Sequence, residues 1–177
     1  MDIWPTIPVM DLFFRVTGPG DEETVITALG HPDHVSRIKL VVSSLQLGKI
    51  ATLMQEPFPM LTHLSITSES GSALPDRFLG GSAPPLQQLD ICNIVYPAQP
   101  TLLLSANNLV DLSLCNTTPP AGYVSPEALV AHMAALLRLE ILDVGFTSFL
   151  DPISSPLITR LPFFPSVNSH FLVVASI

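Results

Sequence analysis

The sequence predicts an α/β fold in which short repeats, each a strand followed by a helix or turn, stack side by side. A Leu-x-x-Leu-x-Leu spacing recurs along the chain, and many of the prolines lie between its copies. Within each copy the last two apolar residues are two apart, so they share one face of a strand. One such strand cannot bury its apolar face alone, and neighbouring copies must therefore stack into a solenoid.

The apolar triplet is clearest in the middle of the chain and weaker at both ends. The four central copies are Leu61/Leu64/Ile66, Leu86/Leu89/Ile91, Leu109/Leu112/Leu114 and Leu139/Leu142/Val144. The weaker copies are Ile7/Met10/Leu12, Val35/Ile38/Leu40 and Val167/His170/Leu172. Successive first positions are 23 to 30 residues apart, close to the roughly 20–29 residue period of leucine-rich repeats. The period predicts an irregular leucine-rich-repeat solenoid, with parallel strands on its concave side and short helices and turns on its convex side.

Two helices are predicted between the first three copies. Residues 21–29 begin with acidic side chains, which suit the positive end of a helix dipole, and Gly30 followed by Pro32 ends the helix. Residues 45–54 carry an apolar stripe at helical spacing, made of Leu47, Ile50, Leu53 and Met54. Strands are expected at about residues 7–14 and 35–42.

The connections become more irregular further along the chain. Ser125 and Pro126 suit the N-cap and first turn of a helix over residues 125–137. The other predicted connections are a polar loop at 67–72, at most one helical turn at 74–79, an extended segment from Pro97 leading to a tight turn at 106–108, and a loop at 151–166. We therefore expect a solenoid of about six repeats over residues 1–150. A Pro- and Ser-rich loop with a degenerate or truncated final repeat is expected over residues 151–177.

Composition limits the function classes. The 177 residues suit one domain, 47% are hydrophobic and the formal net charge is −8. The acidic balance argues against a nucleic-acid partner, which needs a basic stripe. No apolar run reaches the length of about 18 residues that predicts a membrane span, and the N-terminal residues do not resemble a signal peptide. We expect an intracellular protein, cytoplasmic or nuclear, and a piece of a larger protein or a truncated product because neither end looks polar.

The two cysteines occupy equivalent places in neighbouring repeats. Cys92 follows Ile91 and Cys115 follows Leu114, so the two residues are neighbours in a parallel ladder. Their geometry allows a disulfide, but two stacked thiols in a reducing compartment are the favoured interpretation.

The sequence offers little that resembles an active site. His31-Pro-Asp-His34 is the tightest group of potential metal ligands, but zinc needs three or four convergent ligands and no second cluster accompanies it. A solvated turn is the simpler interpretation. No phosphate-binding glycine pattern or nucleophile motif occurs. We therefore expect neither an enzyme nor a cofactor.

The exposed face of the strands is the candidate binding surface, because the third and fifth residues of each repeat point away from the core. Its predicted binding residues are Arg37, Lys39, His63, Ser65, Gln88, Asp90, Asp111, Ser113, Ile141 and Asp143. The weaker copies add Val9, Asp11, Ser169 and Phe171. Basic side chains gather at one end and acidic ones at the other, which would orient a partner segment of opposite charge order. The alternative is an ordinary solvated strand surface.

Several phrases resemble the repeat region of fungal F-box/leucine-rich-repeat proteins. They are Trp4–Pro8, Ala28–Ile38, Met54–Leu64, Leu74–Leu86, Leu102–Leu112 and Gly122–Leu129, and the resemblance covers about residues 3–150. The resemblance implies a solenoid that holds the target of a ubiquitin ligase. In that family an N-terminal F-box couples the repeats to the ligase. The chain departs from the family in lacking F-box helices and in its sequence after about Asp151.

The family's usual asparagine, three residues after the last repeat leucine, is also missing. Those places hold Glu69, Ile94, Thr117 and Thr147, whereas Asn93 and Asn116 fall one residue early. We therefore expect irregular turns after the strands. The predicted function is protein–protein interaction through the concave strand face. The alternatives are an incomplete fragment without independent function and a small α/β enzyme with an unrecognised site.

Overall fold

The described residues of the computed structural model form a parallel β-sheet of seven strands in chain order. The structure describes residues 9–16, 18–75, 77–95, 101–117, 136–146 and 171–172. The strands are β1 (Met10–Arg15), β2 (Val35–Val42), β3 (His63–Ala73), β4 (Gln88–Val95), β5 (Asp111–Thr117), β6 (Ile141–Phe146) and β7 (Phe171–Leu172). The helices are α1 (Pro19–Leu29), α2 (Ser44–Leu53) and α3 (Thr101–Ser105), with 3₁₀ turns at Pro32–His34 and Phe78–Gly81. The α/β class and the parallel sheet are confirmed.

The central strands pair in the register that the triplets predict. The row of directly neighbouring residues is Ile38, Leu64, Leu89, Leu112 and Leu142. All five side chains are at most 4% exposed. A second buried row two residues further along contains Leu40, Ile66, Ile91 and Leu114. Burying a leucine or isoleucine contributes roughly 1.5–3 kcal/mol, so these two rows form the centre of the core.

The register of β1 differs from the prediction by two residues. Met10 was expected beside Ile38, but Leu12 takes that place and Asp11 lies beside Arg37. The strand begins at Met10, and Leu12 and Val16 are buried. Because a two-residue shift keeps each side chain on its face, the alternation of the sheet survives.

The register of β7 differs by one residue. His170 was expected opposite Leu142, but Phe171 pairs with Leu142 and Leu172 with Asp143. A one-residue slip exchanges the two faces of a strand, so Phe171 takes a place in the leucine row and leaves the predicted exposed row.

Helices α1 and α2 form where they are predicted. Helix α2 begins with a capping box, in which Gln46 N donates to Ser43 Oγ at 3.4 Å and Ser43 N donates to Gln46 Oε1 at 3.0 Å. The helix buries Leu47, Ile50 and Ala51. Leu53, predicted on the same stripe, is 44% exposed, because the helix ends there and Met54 makes the last buried contact.

Two local predictions are wrong. The polar run at 67–72 is not a loop, since β3 continues to Ala73 after a register shift between Thr67 and Ser72. The extension is held by the neighbouring strand, because Asn93 Nδ2 donates to the Ser68 carbonyl at 2.9 Å. A further register shift separates Leu114 from Thr117 in β5. Both shifts lie within strands, so they do not test the irregular turns expected after the strands from the missing asparagines.

The segment leading to residue 106 is a short helix, α3, and not an extended chain. Burial of Leu102 and Leu103 drives it inward, and Ser105 Oγ donates to the Leu102 carbonyl at 2.7 Å. The predicted tight turn at 106–108 is present, with Leu109 N donating to the Ala106 carbonyl at 3.0 Å. The predicted loop at 151–166 lies outside the described residues, as does nearly all of the predicted helix at 125–137. Across the described ranges, no helix is both long enough and apolar enough to pass through a bilayer.

Candidate binding surface

The sheet brings the ten predicted binding residues together on one face. The third-position row contains Arg37, His63, Gln88, Asp111 and Ile141, and the fifth-position row contains Lys39, Ser65, Asp90, Ser113 and Asp143. All ten side chains are exposed or partly exposed, whereas the residues between the two rows are buried. We call these ten residues the exposed strand face.

The basic end of this face lies on β2 and β1. Arg37 and Lys39 are both exposed. The two-residue shift of β1 places Asp11 beside Arg37 and Phe13 beside Lys39, so Val9 does not take its predicted place. Asp11 Oδ1 accepts a hydrogen bond from Ser36 Oγ at 2.7 Å. Sequence reasoning missed Phe13, which is 61% exposed. Because Leu12 lies beside the buried Ile38, the next residue, Phe13, points to the exposed side beside Lys39.

His63 is held by its neighbour Thr62. The Thr62 hydroxyl donates to the Ser36 carbonyl at 3.1 Å, and its oxygen lies 2.8 Å from His63 Nδ1. A hydroxyl has one proton, so both contacts are satisfied when His63 Nδ1 carries the imidazole proton and donates to Thr62. Burial, and secondly the positive charge of Arg37, lower the pKa of His63, which Asp11 raises to a smaller extent. His63 therefore favours the neutral form, with Nε2 as an acceptor.

Three carboxylates make up the acidic end. Asp111 lies on β5 between the strands that carry Asp90 and Asp143. Burial raises the pKa of Asp111, and the Asp90 and Asp143 carboxylates raise it further. Asp90 accepts a hydrogen bond from Ser65 Oγ at 2.9 Å. Ile141 is half exposed beside Asp111, so this end combines negative charge with an apolar side chain.

The two cysteines border the acidic end and are joined. Cys92 and Cys115 are ladder partners at the seventh position, two residues beyond Asp90 and Ser113, and they form a disulfide. The interpretation of two stacked free thiols is therefore wrong. Directly paired parallel strands hold the Cα atoms 4.6 Å apart, which lies within the range that a disulfide spans.

The other candidates do not assemble into a site. Among the described residues, no group of three His, Cys, Asp or Glu side chains converges as metal ligands, so the His31-Pro-Asp-His34 turn is not joined by a further ligand there. A shallow groove of about 540 Å³ runs between α1 and β1 and is lined in part by Met10, Ala28 and His31. The contact between Thr62 and His63 is not a nucleophile–base pair, because the hydroxyl proton is directed to a backbone carbonyl.

Comparison of the chain with profiles of protein families, with characterised proteins and with solved structures finds no match. The geometry of the exposed strand face is therefore the basis for a functional conclusion.

Proposed function

We propose that this protein is an interaction module that binds a partner protein on its exposed strand face. In this proposal the sheet is a leucine-rich-repeat solenoid and the exposed strand face is its concave side. The in-order parallel strands and the buried leucine rows support that assignment. The protein acts by recognition and not by catalysis, and it needs no cofactor.

The observation that carries the proposal is the unrelieved charge of the acidic end. The raised pKa of Asp111 means that its environment disfavours the carboxylate. No ion pair joins Asp90, Asp111 or Asp143 to another side chain in the described part of the chain. A surface that served stability alone would gain by replacing the middle carboxylate. Retaining it is the pattern expected of a face that receives cationic groups from outside.

The sequence resemblance suggests the biological setting. The repeat phrases resemble fungal F-box/leucine-rich-repeat proteins, whose repeats hold ubiquitylation targets. We therefore propose that this chain is the substrate-recognition region of an F-box-like protein inside the cell. The partner is then a ubiquitylation target, provided that an F-box is coupled to the repeats.

The test is a triple charge reversal with a matched control. Asp90→Lys, Asp111→Lys and Asp143→Lys together change the charge of the exposed strand face. The control set is Glu23→Lys, Asp33→Lys and Glu56→Lys, which changes net charge equally at exposed positions away from that face. Affinity capture from an extract of the native organism, followed by mass spectrometry, compares the proteins retained by each form.

We expect the first set to lose the partners that the unaltered protein captures and the control set to retain them. Circular dichroism must show that both variants remain folded. If the two variants capture the same proteins as the original, the exposed strand face is not the binding surface and the proposal fails.

A further inference from the structure

The exposed strand face carries its charges in a fixed order, with two cations on β2 and carboxylates on β4, β5 and β6. Arg37 and Lys39 form no ion pair with any described side chain, and neither do Asp111 and Asp143. Strand β3 contributes the uncharged groups His63 and Ser65 between the two ends, and β4 adds Gln88 beside Asp90. Opposite charges therefore face solvent at two separate places on one rigid surface.

The sheet fixes the distance between these places. Neighbouring strands lie about 4.8 Å apart, and three such steps separate β2 from β5. The basic end on β2 therefore lies about 14 Å from β5, the strand of Asp111, which is the middle carboxylate of the acidic end. An extended peptide advances roughly 3.3–3.4 Å per residue, so it covers this distance in about four residues.

The parity of an extended peptide agrees with this length. Side chains of a strand alternate between two sides, so the side chains of residues i, i+2 and i+4 point the same way. Two peptide side chains that are four residues apart point to the same side, so one can contact β2 while the other contacts β5. Three or five residues would turn one of the two charges away from the sheet.

We infer that the partner segment is an extended peptide that crosses β2 to β5 and carries an acidic and a basic side chain four residues apart. The acidic side chain pairs with Arg37 and Lys39. The basic one enters among Asp90, Asp111 and Asp143, where it relieves their mutual repulsion. The middle residue is small and polar and faces His63 and Gln88. This inference rests on the proposed function and names the chemistry of its partner.

The test uses synthetic fluorescein-labelled peptides with polar flanks. The first has the central sequence Glu-Thr-Ser-Thr-Lys, with charges four apart. The second, Glu-Thr-Ser-Lys-Thr, has the same composition with charges three apart, and the third, Lys-Thr-Ser-Thr-Lys, carries two cations. Fluorescence anisotropy is measured at an ionic strength of about 0.01 M, where the Debye length of about 30 Å exceeds the separation of the two ends.

We expect the first peptide to bind about threefold to fivefold tighter than the second, the scale of one exposed ion pair. In Lys39→Glu, affinity for the first peptide falls and affinity for the third rises. The matched control Arg77→Glu reverses one exposed cation away from the strands and should change neither affinity. All differences should shrink at about 0.15 M ionic strength.

Three results overturn the inference. The first is that the unaltered protein binds the first two peptides with equal affinity. The second is that it binds the third peptide as tightly as the first. The third is that it binds none of the peptides at millimolar concentration. The second result would mean that an acidic protein attracts any cationic chain. These outcomes are separable from failure of the proposed function, because triple reversal of the aspartates can abolish partner capture while the spacing rule fails.

Discussion

Replacing Leu112 with alanine tests the arrangement on which the sheet depends. Leu112 is 0% exposed and lies in the row between Leu89 and Leu142. The change removes about three methylene equivalents, or about 2.4 kcal/mol of burial. Incomplete collapse of the cavity adds to this, and buried leucine-to-alanine changes cost about 2–5 kcal/mol in total. We expect the free energy of unfolding to fall by about 3–4 kcal/mol.

The neighbouring half-exposed residue supplies the control. Ile141 belongs to β6 and is 50% exposed on the opposite face of the sheet. Ile141→Ala leaves no enclosed cavity, so it should cost less than about 1 kcal/mol. Urea unfolding followed by circular dichroism gives both free energies, and thermal unfolding should show a drop of about 10 °C for Leu112→Ala. Equal costs for the two changes would refute the alternation of buried and exposed residues.

Two further predictions concern the acidic end and the disulfide. Because the folded-state pKa of Asp111 is raised, the folded protein favours the protonated form and loses stability as pH rises through that pKa. Asp111→Asn should therefore raise the free energy of unfolding at pH 7 by about 0.5 kcal/mol, with no gain at pH values below the usual 3.8. The Cys92–Cys115 bridge spans 23 residues, so a dithiol reductant should lower the free energy of unfolding of the unaltered protein by about 3 kcal/mol. In the control, Cys92→Ser/Cys115→Ser, the reductant should leave the melting temperature unchanged. An unchanged melting temperature of the unaltered protein would contradict the bridge.

The central register is predictable because each strand between β2 and β6 has a neighbour on both sides. Leu64 and Leu89 are constrained by the rows they share with two other strands, so a slip of one residue in either strand would move its leucine out of the buried row. β1 and β7 lie at the ends of the described sheet. With one neighbour each in the described sheet, their weak patterns permit several alignments.

The local errors have a different cause. The run at 67–72 has the composition of a loop, but strand β4 supplies hydrogen-bond partners that composition does not reveal. Helix α3 likewise forms because Leu102 and Leu103 reach the core. Both are cases in which tertiary contacts override local propensity.

The positions of the exposed candidate binding residues follow from the positions of the buried leucines. Side chains alternate along a strand, so the leucine rows that fix which residues are buried also fix which residues face outward. Asp90, Asp111 and Asp143 were therefore predictable as neighbours from Leu89, Leu112 and Leu142. The environment of each group was not, because the tautomer of His63 depends on Thr62 and the Ser36 carbonyl of another strand.

The same link gives the exposed strand face a fixed order of charges. A slip of one residue in any central strand would bury a charged or polar side chain and expose a leucine, which costs several kcal/mol. The core therefore fixes the order of cations, neutral groups and carboxylates across the sheet as firmly as it fixes its own packing. In the proposed function a partner matches that order and its spacing. A peptide with the same charges at another spacing would meet strands that cannot shift to receive it, so the proposed discrimination arises from the fixed spacing of the strands beneath the charges.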